Sequence, residues 1–299
     1  GVVYSMAYGD QPALISEQID WARAVGLEVV CAGKGTRYQP EYHYSTPETV
    51  FEHWGFTEEQ VASGDYNAQM FNSFLDGTKS AIEMCAVANG SGLVPQKNGL
   101  QFPPVGVHEL PEILKPKADG GVLEHSGTVE AIASEHRDFS PVEGDLRWGV
   151  YVVFKAPTPY VKRCFAEYGL CVDSSGEYSA LYRPSHLIGL ELGISVASAA
   201  LRKEPTGTSR EFMGDVVSVA KKDLKPGDML DGEGGYTVFG RLIQATDSLA
   251  NAYFPLGLSG KAKVVRSVAK GEILAYADIE LDENMFAYTL RKSMEDSAR

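Results

Sequence analysis

The 299-residue chain is 44% hydrophobic and 22% charged, the balance of a globular protein long enough for one large domain or two ordinary ones. A formal net charge of −13 argues against nucleic acid or an anionic membrane surface as the principal partner, while leaving room for a phosphate-bearing small molecule in a local basic pocket. No apolar run reaches the roughly 18 residues of a membrane span and no signal peptide opens the chain. Its four cysteines (Cys31, Cys85, Cys164, Cys171) form no CxxC pair and read as free thiols in a reducing cytoplasm.

Residues 2–8 are β-branched and aromatic and read as a strand, broken by Gly9-Asp10-Gln11-Pro12. The chain thus opens as if a strand were already under way, which suggests a start inside a longer protein. Pro12 suits a first helical turn, and residues 13–25 carry apolar side chains at helical spacing (Leu14, Ile15, Ile19, Trp21, Ala22, Val25) up to Gly26. Residues 27–32 form a second strand, giving a βαβ unit with parallel strands. That strand runs into Gly33-Lys34-Gly35-Thr36-Arg37. Ligands of open α/β sheets sit outside the carboxyl ends of the strands, so Lys34, with Arg37 nearby, reads either as an anion-binding residue or as a solvent-exposed turn lysine. Neither a GxxxxGK[ST] loop nor a GxGxxG fingerprint occurs in the chain.

Residues 38–66 are aromatic, acidic and irregular; His43 and His53 lack partners at metal-ligand spacing. Residues 67–89 read as one helix. At roughly 100° per residue, Asn72, Asp76, Lys79 and Glu83 fall within about 60° of one another on an otherwise apolar surface. Such a stripe is either a self-satisfied ladder of i,i+3 and i,i+4 pairs or the polar wall of an active-site cleft. Gly77 within it suggests a close approach to the backbone. A Pro- and Gly-rich loop then runs from 94 to 127, packing along the surface or covering a site.

Strands are expected at 128–133 and 148–155, with Arg147 at the mouth of the second as a phosphate or carboxylate clamp or a loop ion pair. A helix follows at 159–168. Residues 187–201 are apolar on nearly every side and read as a buried helix. Tyr182, Arg183, Ser185 and His186 crowd its N-terminus, as an oxyanion or phosphate site or as an N-cap with a core histidine. Glu191 needs a partner there, Arg183 or Lys79. After a linker at 203–207 the chain turns to short strands and turns (215–220, 224–230, 232–240, 254–258, 263–268 and 270–279) and ends in a polar, helix-compatible tail at 285–299.

Several runs carry a family resemblance: VVYSMAYGDQPALI, the AGKGT turn, MFNSFLDGTKSAIEM, DLRWGVYVVF, EYSALYRPSHLIGLELG and GEGGYTVFG, with AKKDLKPGDML, FPLGL and VAKGEILAYADI in the C-terminal part. Together they resemble homoserine-dehydrogenase-like oxidoreductases with a C-terminal SAF domain, a group that includes 1-deoxy-D-xylulose 5-phosphate reductoisomerase-like enzymes. The fold class this implies is α/β and α+β: an open-sheet catalytic and dimerisation domain over 1–204, a small all-β SAF β-clip domain over 205–284, and a polar tail over 285–299. The resemblance further implies a homodimer, and NADP(H) bound by a Rossmann domain that is not in this chain, with Mg²⁺ or Mn²⁺ as an additional cofactor. The activity implied is NADPH-dependent rearrangement and reduction of a phosphorylated ketose. On that reading Lys79 polarises the carbonyl, and Asp76 and Glu83 act as bases or metal ligands. Asn72 orients a hydroxyl, and His186 completes the catalytic set. Lys34, Arg147, Tyr182, Arg183 and Ser185 bind substrate. Two further classes stay open: a dehydrogenase of a sugar acid or polyol, and a SAF-containing carbohydrate lyase or binding protein.

Overall fold

In a computed structural model describing residues 1–298, the first half of the chain forms α1 (Gln11–Ala24), β1 (Glu28–Thr36), α2 (Val50–Trp54), α3 (Glu58–Ser63), α4 (Ala68–Leu75), α5 (Thr78–Ser91), α6 (Leu110–Ile113) and β2 (Thr128–Ala133). The second half forms β3 (Val150–Lys155), α7 (Pro159–Glu167), β4 (Tyr178–Arg183), α8 (Leu192–Ala197), β5 (Gly214–Ala220), β6 (Val238–Gln244), α9 (Ala245–Asn251), β7 (Lys263–Val264), β8 (Ile279–Glu280) and α10 (Phe286–Ser297). These fall into two compact units, residues 1–37 with 83–213 and residues 38–82 with 214–299.

The first unit is built on a mixed four-stranded sheet in the order β2-β1-β3-β4, with β1 parallel to β2 and antiparallel to β3. Helix α1 starts where Asp10 accepts from the Gln11 amide, and Pro12 occupies its first turn. It lies on β1 and β3, burying Leu14, Ile15, Ile19 and Ala22, with Trp21 edge-on to Phe154 at 5.7 Å. The opposite face is covered by the 94–127 stretch, whose Val105, Leu110, Leu114 and Leu123 pack against Cys31, Tyr151 and Val153. That stretch is therefore an inner layer of the core and carries α6, where a surface loop was expected. The β-branched run at 2–8 is no strand; it forms one bridge, Tyr8 to Asp10, and Met6 N–H bonds the Gly207 carbonyl. β1 already has a neighbour on each side, so that run cannot pair with the strand it precedes.

The second unit holds two antiparallel pairs, β5–β6 and β7–β8, around Phe254, Leu256, Val238 and Leu274. Helix α9 lies within 205–284, so that stretch is mixed where an all-β module is expected, while α10 occupies the polar tail expected to be helix-compatible. α10 is moored through Arg291, which donates to both oxygens of Asp215. The helix expected over 67–89 is two helices. Gly77 has φ +86°, a left-handed conformation that side chains with a Cβ resist. The Asp76 carboxylate accepts from Thr78 N–H at 2.9 Å, and α5 begins there. Asn72, Asp76, Lys79 and Glu83 consequently do not line one helix face. Among the described residues no helix is long and apolar enough to cross a membrane.

A buried clasp fixes the turn before β4. Lys115, enclosed, donates to Asp173 at 2.8 Å and to Glu112 at 3.0 Å, and Asp173 also accepts from Tyr178 N–H and the Ser175 hydroxyl. Burial raises the Asp173 pKa, but the Lys115 ammonium and the other donors outweigh it and take the pKa down to about 2. The folded value lies below the ordinary 3.8. The resulting stability is thus present above pH 3.8 and lost as pH falls towards about 2. Asp173→Asn should lower stability by about 2 kcal/mol at neutral pH and flatten its pH dependence across that acid window, as measured by urea unfolding at stepped pH.

Candidate active site

The mouth of the four-stranded sheet is set by close backbone approaches on either side of Lys34. A Cβ at Gly33 would lie 1.8 Å from the Glu130 carbonyl oxygen, and one at Gly35 1.9 Å from that of Leu146. Only glycine permits this packing, and alternation along the strand sends Lys34 to the opposite face. Lys34 is only 6% exposed, which removes the solvent-turn reading. Its ammonium is bonded to the carboxylate of Glu83 on α5, itself buried.

Register carries the row across the sheet. Lys34 lies opposite Val150 and Val150 opposite Arg183, so all three share a face. Two strand spacings put the Lys34 and Arg183 backbones about 10 Å apart. Arg183 is bonded to Glu191, and that hydrogen bond holds the Glu191 carboxyl below its ordinary range. Of the two partners expected for Glu191, Arg183 or Lys79, Arg183 is the one bonded to it. Glu191 also accepts from Leu187 N–H at 3.2 Å. Just ahead of β3, the Arg147 guanidinium lies over the Trp148 indole, 4.7 Å from its centroid, and Arg147 N–H donates to Asp145. His186 Nδ1 lies 2.6 Å from the Trp148 carbonyl oxygen. A carbonyl only accepts, so the neutral ring carries its proton on Nδ1 and presents Nε2 as a base. Tyr182 is half-exposed on edge strand β4, and Ser185 is exposed in the following turn.

Lys34, Glu83, Arg147, Arg183 and His186 thus belong to one end of one sheet, with Tyr182 and Ser185 beside them. The expected helix N-terminus is not there. Residues 187–191 form a turn, with Gly189 at φ +80°, and α8 begins only at Leu192. Ser185 and His186 therefore do not cap it. Nor is this segment buried: Leu190 is 82% exposed and Val196 62%.

Asn72, Asp76 and Lys79 belong to the second unit. Asn72, fully buried, donates to the Ser45 and Gly234 carbonyls and accepts from the Ser45 hydroxyl. Asp76, fully buried, pairs with Lys221 at 2.7 Å, and Lys221 also donates to the Ser45 and Gly235 carbonyls. Hydrogen bonds of this density hold a fold together and leave Asn72 with no bond to spare for a substrate hydroxyl. Lys79 is half-buried in the first turn of α5.

The metal reading finds no matching donor set. Asp76 and Glu83 each face a lysine, and among the described residues no three His, Cys, Asp or Glu side chains gather as a metal site. Residues absent from the sequence reading also shape the mouth. Glu135 binds Arg37 at 2.8 Å, and Gln11 reaches the Gly149 carbonyl. The signal for Glu135 is the parallel register, Thr36 opposite Ala133, which no local pattern discloses.

The family described as oxidoreductase DRL, catalytic domain, matches residues 9–192, or 184 of the 299 residues. The chain belongs to that family. The match covers α1, all four strands of the sheet and every residue of the mouth. The protein is accordingly an enzyme with an oxidoreductase catalytic domain, and the lyase and binding-protein readings are set aside. Comparison with curated proteins gives no match.

Within this DRL catalytic domain, Lys34→Met should strip Glu83 of the enclosed ammonium it is bonded to and cost about 3–5 kcal/mol, and Lys34→Met with Glu83→Leu should recover most of it. Asp76→Ala should destabilise through Lys221 by a similar amount. Chemical unfolding of these variants, of Glu83→Leu alone and of the wild type checks both statements; losses in the double variant equal to the sum of the two single losses would show that Lys34 and Glu83 are not coupled.

Proposed function

We propose that the chain is the catalytic part of an NADPH-dependent, reductoisomerase-like oxidoreductase, with 1-deoxy-D-xylulose 5-phosphate as substrate and 2-C-methyl-D-erythritol 4-phosphate as product. The observation that supports it most is the cluster of Lys34, Arg147, Arg183 and His186 at one sheet end in an oxidoreductase catalytic domain. Lys34, held by Glu83, directs its ammonium protons to the carbonyl oxygen and stabilises the negative charge that grows there. His186 Nε2 takes the proton of the hydroxyl next to that carbonyl. Arg147 and Arg183 take the phosphate, with the Ser185 hydroxyl and Tyr182 at its edge. NADPH would supply the hydride. The chain has no glycine-rich nucleotide loop, so no residue here is assigned to that cofactor and no step is derived through it. No metal-dependent step is derived either.

A second reading draws on the charge balance of the mouth. Lys34, Arg37 and Arg183 each already hold a carboxylate, Glu83, Glu135 and Glu191. This compensation favours a less highly charged substrate, a polyol or sugar acid oxidised with NAD(P)⁺.

The test follows NADPH consumption by the protein expressed from its complete reading frame, with 1-deoxy-D-xylulose 5-phosphate, and NADP⁺ or NAD⁺ reduction with a panel of polyols and sugar acids. Turnover of the phosphate substrate, lost at least about a hundredfold in His186→Gln, is the expected result. Turnover confined to the polyols or sugar acids would replace the first reading by the second. No nicotinamide turnover with any of them would remove both.

A further inference from the structure

We propose that Phe139 is a specificity-determining residue of the sheet mouth: its ring packs on the end of the substrate remote from the anionic group and favours a methyl there over a hydroxymethyl. This rests on the reading that the mouth is the active site for such a substrate.

Phe139 stands where its own backbone works against it. Residues 134–142 fold into a hairpin after β2, with Glu135 opposite Pro141, His136 N–H bonded to the Ser140 carbonyl and Phe139 N–H to that of His136. The short loop at its tip puts Phe139 at φ +67°, the left-handed position that glycine fills in such loops and that residues with a Cβ resist. Lys203 and Ala252 share this conformation where helical segments end, a common place for it. Phe102 (φ +51°) offsets its strain by burial, being 3% exposed with its N–H on the Glu130 carboxylate. Phe139 is 54% exposed. Its side chain is thus less than half buried at a position where glycine would serve the turn without strain. Strain kept at an exposed, bulky residue is of the kind that collects at ligand sites.

The hairpin is also fixed to the mouth. Ser134 N–H donates to the Thr36 carbonyl at 2.9 Å, Glu135 binds Arg37 at 2.8 Å, and Arg137 donates to the Phe102 carbonyl at 2.8 Å. At the tip, Asp138 accepts from both the N–H and the hydroxyl of Ser140. The loop that presents Phe139 is therefore set by bonds on either side of it.

Strand order assigns the part of the substrate that lies there. The hairpin follows β2, Lys34 is on β1, Val150 on β3 and Arg183 on β4, in the spatial order β2-β1-β3-β4. An anionic group at Arg183 and a carbonyl at Lys34 send the remainder of the molecule past β1 towards β2. In 1-deoxy-D-xylulose 5-phosphate that remainder is the methyl on the far side of the carbonyl from the phosphate. An aromatic face gains by covering a methyl, whereas a hydroxyl in its place gives up water for no hydrogen-bond partner.

The experiment uses the protein expressed from its complete reading frame. Phe139→Gly should lower the ratio of kcat/KM for 1-deoxy-D-xylulose 5-phosphate to that for D-xylulose 5-phosphate at least about tenfold. Its thermal unfolding midpoint should be no lower than that of wild type, and Phe139→Leu should keep most of the ratio. An unchanged ratio overturns the proposal, and a lowered midpoint beside it would make the ring part of the fold alone. If turnover is confined to sugar acids, the ratio is read between a methyl-ended acid and its hydroxymethyl parent, with the same expectation. A readout free of turnover places 4-fluorophenylalanine at position 139. Its fluorine resonance should shift with 1-deoxy-D-xylulose 5-phosphate or a member of the sugar-acid panel, and not with inorganic phosphate. No shift with any of them, or the same shift with inorganic phosphate, overturns the proposal. The two readings fail separately. A shift without nicotinamide turnover keeps Phe139 at the ligand and removes the assigned activity, whereas turnover with an unchanged ratio and no shift does the reverse.

Discussion

The lysine–glutamate pair beneath the sheet mouth is the interaction on which the rest of the candidate site depends. Gly33 and Gly35 let the backbones of β2 and of the segment before β3 close around β1, and the price of that closeness is that only one side chain, Lys34, projects from this part of the strand. It projects into protein, where an isolated ammonium would cost several kcal/mol. Glu83 is therefore required by the geometry that the two glycines create. Because α5 supplies Glu83, the same pair ties a helix to the end of a strand and fixes where the charge sits.

Other buried ions follow the same logic. Asp76 with Lys221, Asp173 with Lys115 and Asp215 with Arg291 each join segments distant in sequence. Such pairs add little net stability compared with apolar replacements, since desolvation offsets most of the attraction. What they supply here is position. Asp76 closes α4 and opens α5, Asp173 sets the turn before β4, and Asp215 receives α10. Backbone groups complete the first pair (Thr78 N–H, the Ser45 and Gly235 carbonyls), whereas side chains share the task around the other two (Glu112 and Ser175; Glu295 and Ser248), and such further bonds are the condition under which a buried pair is tolerated at all.

Local pattern was enough to find much of this. Strands β2 and β3 and helix α7 lie within two residues of where alternation and turn residues put them, and Arg183 is one of the two partners the sequence offers Glu191. The misses share one cause: periodicity reports apolarity and says nothing of what covers it. The 2–8 run has strand composition, but β1, which it precedes, is already paired on both sides, and 187–201 has core composition on an exposed surface. At 67–89 the helical period continues through Gly77, while the chain does not, because a glycine at φ +86° between two capping interactions is compatible with a break. The partners of Lys34 and Arg37 were illegible for a different reason. They are set by parallel register and by a helix some fifty residues away, and a single sequence contains neither.

The charge balance of the mouth constrains how it can act. Each paired cation has a carboxylate at hydrogen-bonding distance, so an incoming phosphate competes with Glu191 for Arg183 and gains only the difference between the two attachments. Arg183 is about a third exposed and its pair is partly solvated, whereas Lys34 and Glu83 are enclosed. Screening by water weakens the first pair far more than the second. Exchange of partners is therefore cheap at Arg183 and costly at Lys34. The mouth is divided by burial alone into an outer guanidinium that can change partners and an inner ammonium that keeps its own. An arrangement of that kind suits a substrate with a mobile anionic end and a fixed reacting carbonyl, because the attachment that must reorganise on binding is the one that water has already loosened.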